Sequence, residues 1–329
     1  MNFQNKKILL FIPKYFGYEN IIKQGLEKKG AIVYMVYENI STFNAIYRIL
    51  CSKYNILHSA MIDTYYFHKI KNVASVDYIF VLRGSLITKR FMEFLLKKYK
   101  NAITIMYQWD SVKNNPNAIL IKEYFKKIYT FDMNDSKIMN WHYRPLFYYK
   151  KLYDFDNIGK KDIDISFIAS MHSGRARLLN YLKDLSNSKN LSLFYHMYQT
   201  KSYCFWAKHI WKLPEWENMN YEDIHFDSIT IEETNNICSR SKIVADYTHP
   251  EQNGFTMRTI ESIGNGCKII TNNKLIEQAD FYNENNIYVY DPDNFDIPES
   301  FLNSPYVEYS PELYHYYSLD GWLEEILSD

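Results

Sequence analysis

A loop, a helix and a strand follow one another between His249 and Thr271, and their residue types suit the binding of an anion. Gly254 lets the backbone approach a ligand closely, and the helix after it would aim N–H groups and the positive end of its dipole at that ligand. Arg258, in the first turn, could add charge-assisted hydrogen bonds to a phosphate. Glu261, one turn later, is suited to holding the vicinal hydroxyls of a ribose. The segment therefore predicts a nucleotide pocket.

Periodicity predicts the elements that position these groups. Met257, Ile260 and Ile263 recur at helical spacing, and glycines follow them as a stop signal. The run from Cys267 to Thr271 is short and apolar, which is typical of a buried strand. A helix start therefore faces the loop, and a strand anchors the segment in a sheet.

This segment resembles the nucleotide-binding half of GT-B glycosyltransferases, whose donor motif reads Glu-Gly-Phe-Gly, then a helix ending Glu-Ala, a glycine and a strand. Gly254, Phe255, Glu261 and Gly266 match that motif. The resemblance implies that a nucleotide sugar is the donor. With the residue chemistry of the loop and helix, the predicted donor site comprises His249, Asn253, Gly254, Phe255, Thr256, Arg258 and Glu261.

In the retaining branch of that fold a first glutamate precedes the second one, and Asn253 stands at that position here. This departure favours an inverting reaction. The stretches Asp164–Ser170 with Arg175, and Thr256–Glu261, look most like spore-maturation-type and capsule or lipopolysaccharide glycosyltransferases of bacteria. The likeness covers the second half well and the first half in outline. It implies transfer of a hexosyl or related glycosyl group to a bacterial surface glycan, free or lipid-linked, without a metal or other cofactor.

Composition sets the scale of the molecule and excludes several classes of protein. The 329 residues exceed what one core usually organises, so two domains are expected. Lys and Arg number 38, as do Asp and Glu, which gives no electrostatic footprint for nucleic acid. Four cysteines without a CxxC pair favour a reduced, cytoplasmic protein. No apolar run approaches the ~20 residues of a transmembrane helix.

Strand-like and helix-like patterns alternate through both halves of the chain, which predicts doubly wound parallel sheets. With the resemblance, the expected fold is α/β of the GT-B type: two Rossmann-like domains facing a cleft. We assign residues 1–150 to an acceptor-side domain and 151–312 to the nucleotide-sugar domain. Residues 313–329 form a C-terminal helix that could cross back to the first domain. The segment Tyr143–Lys161 lacks clean periodicity and is the candidate linker.

Ligands bind at the carboxyl ends of parallel strands, so polar residues that follow strands are the candidates for catalysis. Asp110 is the predicted general base for the acceptor hydroxyl, because Trp109 beside it could stack on a sugar and desolvate the carboxylate. A turn or helix-cap role is the open alternative for Asp110. Glu19 is the rival base, or else an acid in the first turn of a helix.

Further strand-end residues complete the predicted site. On the acceptor side these are Gly17, Tyr18, Arg83 and Trp109. Ser170, His172 and Arg175 lie in the turn before a helix, where a pyrophosphate could meet the helix N-terminus. Each of these side chains could instead have a purely structural role, such as a surface salt bridge for Arg83.

Motifs of other enzyme classes do not occur. The first strand is followed by Pro13-Lys-Tyr-Phe-Gly17 rather than GxGxxG, and no P-loop, HExxH or GxSxG is present. Asp291-Pro-Asp293 is a carboxylate triplet, but its proline indicates a turn. Two alternatives stay open: a sugar-nucleotide epimerase with the same donor site, and a catalytically silent glycan-binding scaffold.

A peripheral contact with the inner face of the cytoplasmic membrane is a further expectation. Phe91–Lys100 and Tyr148–Lys151 combine aromatic and basic residues, which suits an anionic surface. The alternative is that these charges simply form a solvated face.

Overall fold

The computed structural model describes residues 3–38, 55–149, 161–216, 219–249 and 253–328. Contacts divide the chain into two compact units. Unit 1 comprises Met1–Pro145 and Leu319–Asp329, and unit 2 comprises Leu146–Ser318. Within the described residues, every helix is too short or too polar to span a bilayer.

Unit 1 contains a six-stranded sheet in the order β2-β1-β3-β4-β5-β6, and every pairing in it is parallel. The two central strands β1 and β3 are buried on both faces, as expected where helices cover a parallel sheet. The strands are β1 (Lys7–Ile12), β2 (Ile32–Tyr37), β3 (Tyr78–Leu82), β4 (Ile103–Gln108), β5 (Lys127–Thr130) and β6 (His142–Tyr143).

Six described helices belong to unit 1, and five of them contain buried apolar side chains of its core. The last of them comes from the end of the chain and places Trp322, which is fully buried, against Phe80 and Tyr107. The helices are α1 (Tyr18–Lys28), α2 (Asn55–Ile70), α3 (Lys89–Lys98), α4 (Asn117–Ile121), α5 (Met133–Met139) and α12 (Leu319–Ile326).

Unit 2 contains a second parallel six-stranded sheet in the order β12-β11-β10-β7-β8-β9. Renumbered from its first strand, this is the 3-2-1-4-5-6 order of dinucleotide-binding folds. The strands are β7 (Ile163–Ser170), β8 (Leu193–Tyr198), β9 (Ile224–His225), β10 (Ser241–Ala245), β11 (Lys268–Thr271) and β12 (Ile287–Val289).

Four of the six described helices of unit 2 begin after a residue whose side chain caps them. Thr230 and Glu233 form a capping box, in which each side chain binds the backbone N–H of the other residue. Thr256 and Ser310 cap two later helices in the simpler way. The helices are α6 (Arg175–Lys189), α7 (Lys201–Phe205), α8 (Ile231–Arg240), α9 (Met257–Gly264), α10 (Glu299–Asn303) and α11 (Pro311–Tyr317).

The doubly wound sheets predicted from the sequence are confirmed, with element ends shifted by a few residues. The chain passes between units at Pro145 and again at Ser318. The tail expected as one helix is two, α11 and α12, which end and begin on either side of Ser318. Most of the candidate linker, residues 150–160, lies outside the described residues, while Phe147 and Tyr148 in it are buried core side chains.

Each sheet has one point where the winding direction reverses, and ligands of such sheets bind there, beyond the carboxyl ends of the strands. In unit 1 the reversal lies between β1 and β3, and in unit 2 it lies between β7 and β10. The turns after these four strands hold most of the predicted site residues.

Candidate functional site

In unit 2, Arg175 joins the two turns that meet at the reversal point. It is the first residue of α6, and its Nη1 donates to the carbonyl oxygen of Ser170 at 2.9 Å. Its Nη2 donates to the carbonyl oxygen of Tyr247, beyond β10, at 3.0 Å. Gly174 fits against the Tyr247 ring, since an added Cβ would lie 2.4 Å from that hydroxyl oxygen. The guanidinium thus fixes the turn after β7 to the turn after β10.

His172 completes this arrangement as a neutral imidazole. Burial, with Arg175 and His249 adding to it, lowers the pKa of His172 to about 4. Because Arg175 Nη1 lies 2.7 Å from Nε2 and can only donate, Nε2 must be the acceptor. The ring proton is therefore assigned to Nδ1, which donates to Ser173 Oγ at 3.0 Å. The Ser173 hydroxyl keeps its own proton for a further acceptor.

The predicted donor loop is organised by a buried carboxylate, Asp246, directly after β10. Its Oδ2 accepts from the hydroxyls of Thr248, Thr259 and Thr271 at 3.1, 3.2 and 3.4 Å. These threonines belong to the loop, to helix α9 and to strand β11 respectively. Asp246, which is 5 % exposed, therefore holds three segments together through its carboxylate.

Helix α9 begins where the sequence predicts it, and its first turn has a side-chain cap. Thr256 Oγ1 accepts from the backbone N–H of Thr259 at 3.1 Å. Two residues later, Arg258 Nη1 lies 2.8 Å from Glu261 Oε2, and the Glu261 side chain is only 1 % exposed. Arg258 Nη1 also approaches Cys238 Sγ at 3.3 Å. Arg258 and Glu261, the residues predicted to bind phosphate and ribose, thus form an ion pair with each other.

The remaining donor-loop residues divide into core and surface. Phe255 is 2 % exposed and packs edge-on against Phe281, so its ring belongs to the core. The Gly254 carbonyl accepts from Asn273 Nδ2 at 3.1 Å, which ties the loop to the end of β11. His249 is exposed, with its ring 6.0 Å from that of His172. Asn253 is half-buried and adjoins residues 250–252, which lie outside the described residues.

In unit 1, the predicted base Asp110 forms an ion pair with the predicted acceptor residue Arg83. Asp110 Oδ2 lies 2.9 Å from Arg83 Nε, and the side chains are 37 % and 30 % exposed. At this exposure the carboxylate keeps access to water, and the stacking of Trp109 on a sugar stays a prediction. Trp109 is half-buried and packs near Tyr15 and Tyr18, with ring centroids 5.9 and 5.8 Å away.

The turn that carries Arg83 has unusual backbone geometry. Arg83 and Gly84 both have positive φ, 79° and 72°, a region that residues with a side chain rarely adopt. Glu38, at the end of β2, fixes this turn: its carboxylate accepts from the N–H groups of Gly84 and Ser85 at 2.7 and 3.0 Å. Glu38 is fully buried, and burial raises its pKa to about 7 although those hydrogen bonds act to lower it.

The rival base Glu19 also has a backbone-binding role. Its Oε2 accepts from the N–H groups of Tyr15 and Gly17 at 3.0 and 3.1 Å, and the side chain is 2 % exposed. Gly17 has φ 97° and immediately precedes α1, whose second residue is Glu19. Glu19 lies in the first turn of α1, as one interpretation expected, but it is buried, and its carboxylate closes the turn between β1 and α1. Tyr18 is 8 % exposed and lies in the same turn.

Several residues that shape these sites were missed in the sequence. Glu38 directly follows a predicted strand, which was the available signal, but an isolated acid after a strand looked like an ordinary loop residue. Tyr247 contributes mainly its carbonyl oxygen and ring contact, which no motif encodes. The link between Asp246 and its three threonines joins residues up to 25 positions apart, which local spacing does not reveal.

The described residues contain no group of three His, Cys, Asp or Glu side chains arranged to hold a metal ion. The Asp291-Pro-Asp293 triplet is a turn, in which Asp291 Oδ1 accepts from the N–H of Asp293 at 3.0 Å. Electrostatics at the reversal point of unit 2 instead favour an anionic ligand. The positive end of the 15-residue helix α6, the Arg175 guanidinium and the Ser173 hydroxyl lie in one turn.

No protein-family model and no curated protein sequence matches the chain. Solved structures do match it in fold. A protein assigned as a UDP-N-acetylglucosamine 2-epimerase of Listeria monocytogenes has a TM-score of 0.55 at 9 % identity, covering 98 % of this chain and 95 % of that one. An α-glucosyltransferase in complex with UDP and DNA has a TM-score of 0.54 at 13 % identity, covering 87 % of each chain.

A sucrose-phosphate synthase of Thermosynechococcus elongatus extends the comparison, with a TM-score of 0.53 at 11 % identity over 99 % of this chain and 90 % of that one. At such low identity the likeness establishes fold and nothing finer. Together with the two doubly wound parallel sheets, it shows that this chain has the GT-B fold, built from two Rossmann-like domains.

Proposed function

We propose that unit 2 binds the diphosphate of a nucleotide sugar at the point where its sheet reverses. The observation that carries this proposal is the Arg175 clamp, which joins the turns after β7 and β10 and places a cation beside the start of α6. A diphosphate with two or three negative charges is the ligand that such a turn favours. UDP is the first candidate, because a structure of the same fold contains it.

The proposed reaction is glycosyl transfer to an acceptor hydroxyl. The new bond joins the acceptor oxygen to the anomeric carbon, the bond from that carbon to the diphosphate breaks, and a base takes the hydroxyl proton. We assign the base to Asp110, which is 37 % exposed and therefore accessible, in preference to Glu19, whose carboxylate is buried in a turn. Arg83 holds the Asp110 carboxylate in position through their ion pair.

Two features refine the proposed chemistry. Asn253 in place of a loop glutamate supports attack by the hydroxyl with inversion at the anomeric carbon. The positive end of α6 and Arg175 can neutralise charge as the diphosphate leaves, which supports a reaction without a metal. The acceptor class we propose is a bacterial surface glycan, such as capsule, lipopolysaccharide or exopolysaccharide, on the strength of the sequence resemblance.

A thermal-shift screen of nucleoside diphosphates tests the binding step. A diphosphate present at a hundredfold excess over its Kd should add about 2.7 kcal/mol to the free energy of unfolding. Glu261→Gln keeps the shape of the side chain that pairs with Arg258 and should weaken the shift if Glu261 binds the ribose. Glu233→Gln, on the exposed capping box of α8, is the matched control and should leave the shift unchanged. No stabilisation by any nucleoside diphosphate would refute the proposal.

Product analysis tests the reaction. With a nucleotide sugar and an acceptor, NMR should show a product of inverted anomeric configuration, and EDTA should leave the rate unchanged. Retention of configuration, or activity that EDTA abolishes and manganese restores, would contradict the corresponding part of the proposal.

The second candidate is a sugar-nucleotide epimerase, favoured by one observation: an epimerase-assigned protein shares the fold over nearly the whole chain. Incubation of the donor without an acceptor separates the two candidates. An isomerised nucleotide sugar under those conditions would establish the epimerase instead.

A further inference from the structure

Unit 2 exposes a compact aromatic surface on the segment that runs from α7 through a π-helical turn, Trp206–Ile210. Cys204 and Ala207 are fully buried and anchor the segment to the core. Four large apolar side chains that follow or lie between them are about half exposed: Phe205 at 53 %, Trp206 at 47 %, Ile210 at 53 % and Trp211 at 54 %. We call this set the aromatic surface.

Adjacent exposed side chains of this size are not ordinary surface residues. Single exposed apolar residues are common, whereas a contiguous patch marks a surface that interacts. The rings also contact one another: the Trp206 centroid lies 6.2 Å from Phe205 and 6.3 Å from Trp211. The three rings therefore form one patch, and Ile210 is exposed in the same helical turn as Trp206.

Exposed lysines lie along the segment that carries the aromatic surface. Lys201, Lys208 and Lys212 are exposed along the same segment, and no Asp or Glu occurs from residue 185 to 214. Two of these ammonium groups are held over neighbouring rings, with Lys208 Nζ 4.8 Å from the Tyr221 centroid and Lys201 Nζ 5.2 Å from that of Phe226. A partner of opposite charge is therefore expected.

We propose that the aromatic surface docks on an anionic lipid bilayer. Trp side chains favour the headgroup level of membranes, Phe and Ile favour the acyl boundary, and Lys pairs with anionic headgroups. All three kinds of residue are present here in one short segment. Ile210 in the patch is an aliphatic side chain, which offers no stacking face to a sugar ring, so the chemistry fits lipid better than glycan.

The location differs from the stretches that the sequence singled out for a membrane contact. In Phe91–Lys100 the apolar residues Phe91, Met92 and Leu95 are fully buried, and only Phe94 is exposed, at 37 %. Tyr148 is buried at 4 %, and residues 150 and 151 lie outside the described residues. The aromatic surface instead lies between β8 and β9.

Vesicle flotation tests the docking directly. The full chain should float with phosphatidylcholine vesicles that contain phosphatidylglycerol. With vesicles of phosphatidylcholine alone, it should remain in the bottom fraction of the gradient. Among the described tryptophans, only Trp206 and Trp211 are exposed, so their emission should shift to shorter wavelength on the anionic vesicles. Neither readout uses a nucleotide sugar, so a negative result leaves the proposed transferase function untouched.

Two variants separate the contributions of charge and apolar area. The triple change of Lys201, Lys208 and Lys212 to Gln should lower partitioning about 100-fold, at roughly fivefold per charge. Trp206→Ser with Trp211→Ser should abolish flotation and the emission shift. The matched control, Leu120→Ser with Ile138→Ser, removes two apolar side chains that are 57 % and 69 % exposed elsewhere, and should float normally. Circular dichroism checks that each variant is folded.

Three outcomes would overturn the proposal. These are failure of the wild-type chain to float with anionic vesicles, equal flotation with neutral vesicles, and unchanged flotation of the tryptophan variant. Retention on an immobilised polysaccharide without vesicle binding would assign the aromatic surface to a glycan and would equally overturn it.

Discussion

The two units hold the turns at their strand ends with side chains of opposite charge. In unit 1, Glu19 and Glu38 accept hydrogen bonds from backbone N–H groups of the turns after β1 and β3. In unit 2, Arg175 donates to the backbone carbonyl oxygens of Ser170 and Tyr247, in the turns after β7 and β10. Two sheets of the same architecture thus have their strand-end turns fixed by side chains of opposite charge, which bind opposite kinds of backbone group.

This difference determines which of these turns can bind an anion. A carboxylate bound to the N–H groups of a turn occupies the donors that a phosphate would use, and it repels a second anion. A guanidinium bound to carbonyl oxygens leaves the turn with a positive charge beside a helix start. The carboxylate of Asp246 in unit 2 is taken up by three threonine hydroxyls. We therefore expect diphosphate binding in unit 2 and none in unit 1.

Replacing one arginine in each unit tests most directly whether the diphosphate binds in unit 2. Arg175→Met should lower the free energy of unfolding by about 4 kcal/mol, because two carbonyl oxygens lose charged hydrogen bonds. It should also abolish stabilisation by UDP. Arg83→Met removes a half-exposed ion pair, so it should change stability by about 1 kcal/mol at most and leave the UDP shift intact.

Urea denaturation and thermal-shift titrations with UDP provide both measurements. Arg177→Met serves as the control for unit 2, since Arg177 is 45 % exposed and pairs only at the surface with Asp293. If Arg83→Met abolished the UDP shift while Arg175→Met preserved it, the assignment of the binding unit would be reversed.

Much of this comparison was accessible from the sequence, and the reason is periodicity. The parallel strands are continuous apolar runs, and helix starts such as Thr256 and Thr230 have side chains that cap helices. Those local rules placed α9 at its observed start and β11 within one residue of its observed bounds. The polar residues after strands were then identified by position.

What the sequence could not supply is the partner of each polar side chain. Arg258 was expected to bind phosphate and is bonded to Glu261, and Glu19 was weighed as a base and closes a turn. Phe255 was assigned to the donor site and packs in the core. Each outcome depends on the direction in which a side chain points, which is set by tertiary packing. Residue type and spacing leave that direction undetermined.

Glu38 in unit 1 and His172 in unit 2 should contribute to stability with pH dependences of opposite sign. The folded pKa of Glu38, about 7, exceeds the ordinary value of 4.5, so the folded state binds the proton more tightly than the unfolded state. Stability from this group is present at low pH and is lost as pH rises from about 4.5 to 7. The full loss is about 3 kcal/mol.

Glu38→Gln cannot titrate and should flatten that slope. Hydrogen exchange of the Gly84 and Ser85 amides, which donate to Glu38, reports the effect within unit 1. An unchanged pH slope in the variant would show that another group is responsible.

His172 should produce the opposite dependence in unit 2. Its pKa is lowered from 6.5 to about 4, so the folded state disfavours the charged imidazolium. Stability from this group is present above about pH 6.5 and is lost as pH falls towards 4. Because the ring is partly exposed, we expect a loss of roughly 1–2 kcal/mol. His172→Gln should remove this dependence, measured by hydrogen exchange of the 170–178 segment, and a variant that still loses protection over that range would contradict the assignment.

The smallest expected effect compares one helix cap in each unit. Thr256 caps α9 through the N–H of Thr259 at 3.1 Å, and Thr88 caps α3 through the N–H of Phe91 at 3.0 Å. Thr256→Ala should lower the free energy of unfolding by about 1 kcal/mol. Thr88→Ala should lower it further, because Thr88 Oγ1 also donates to the buried Asp63 carboxylate. Only Thr256→Ala should also weaken UDP binding, because α9 starts at the predicted donor loop while α3 carries no predicted site residue. Isothermal titration with UDP decides the point, and equal affinities for the two variants would place the start of α9 outside the nucleotide site.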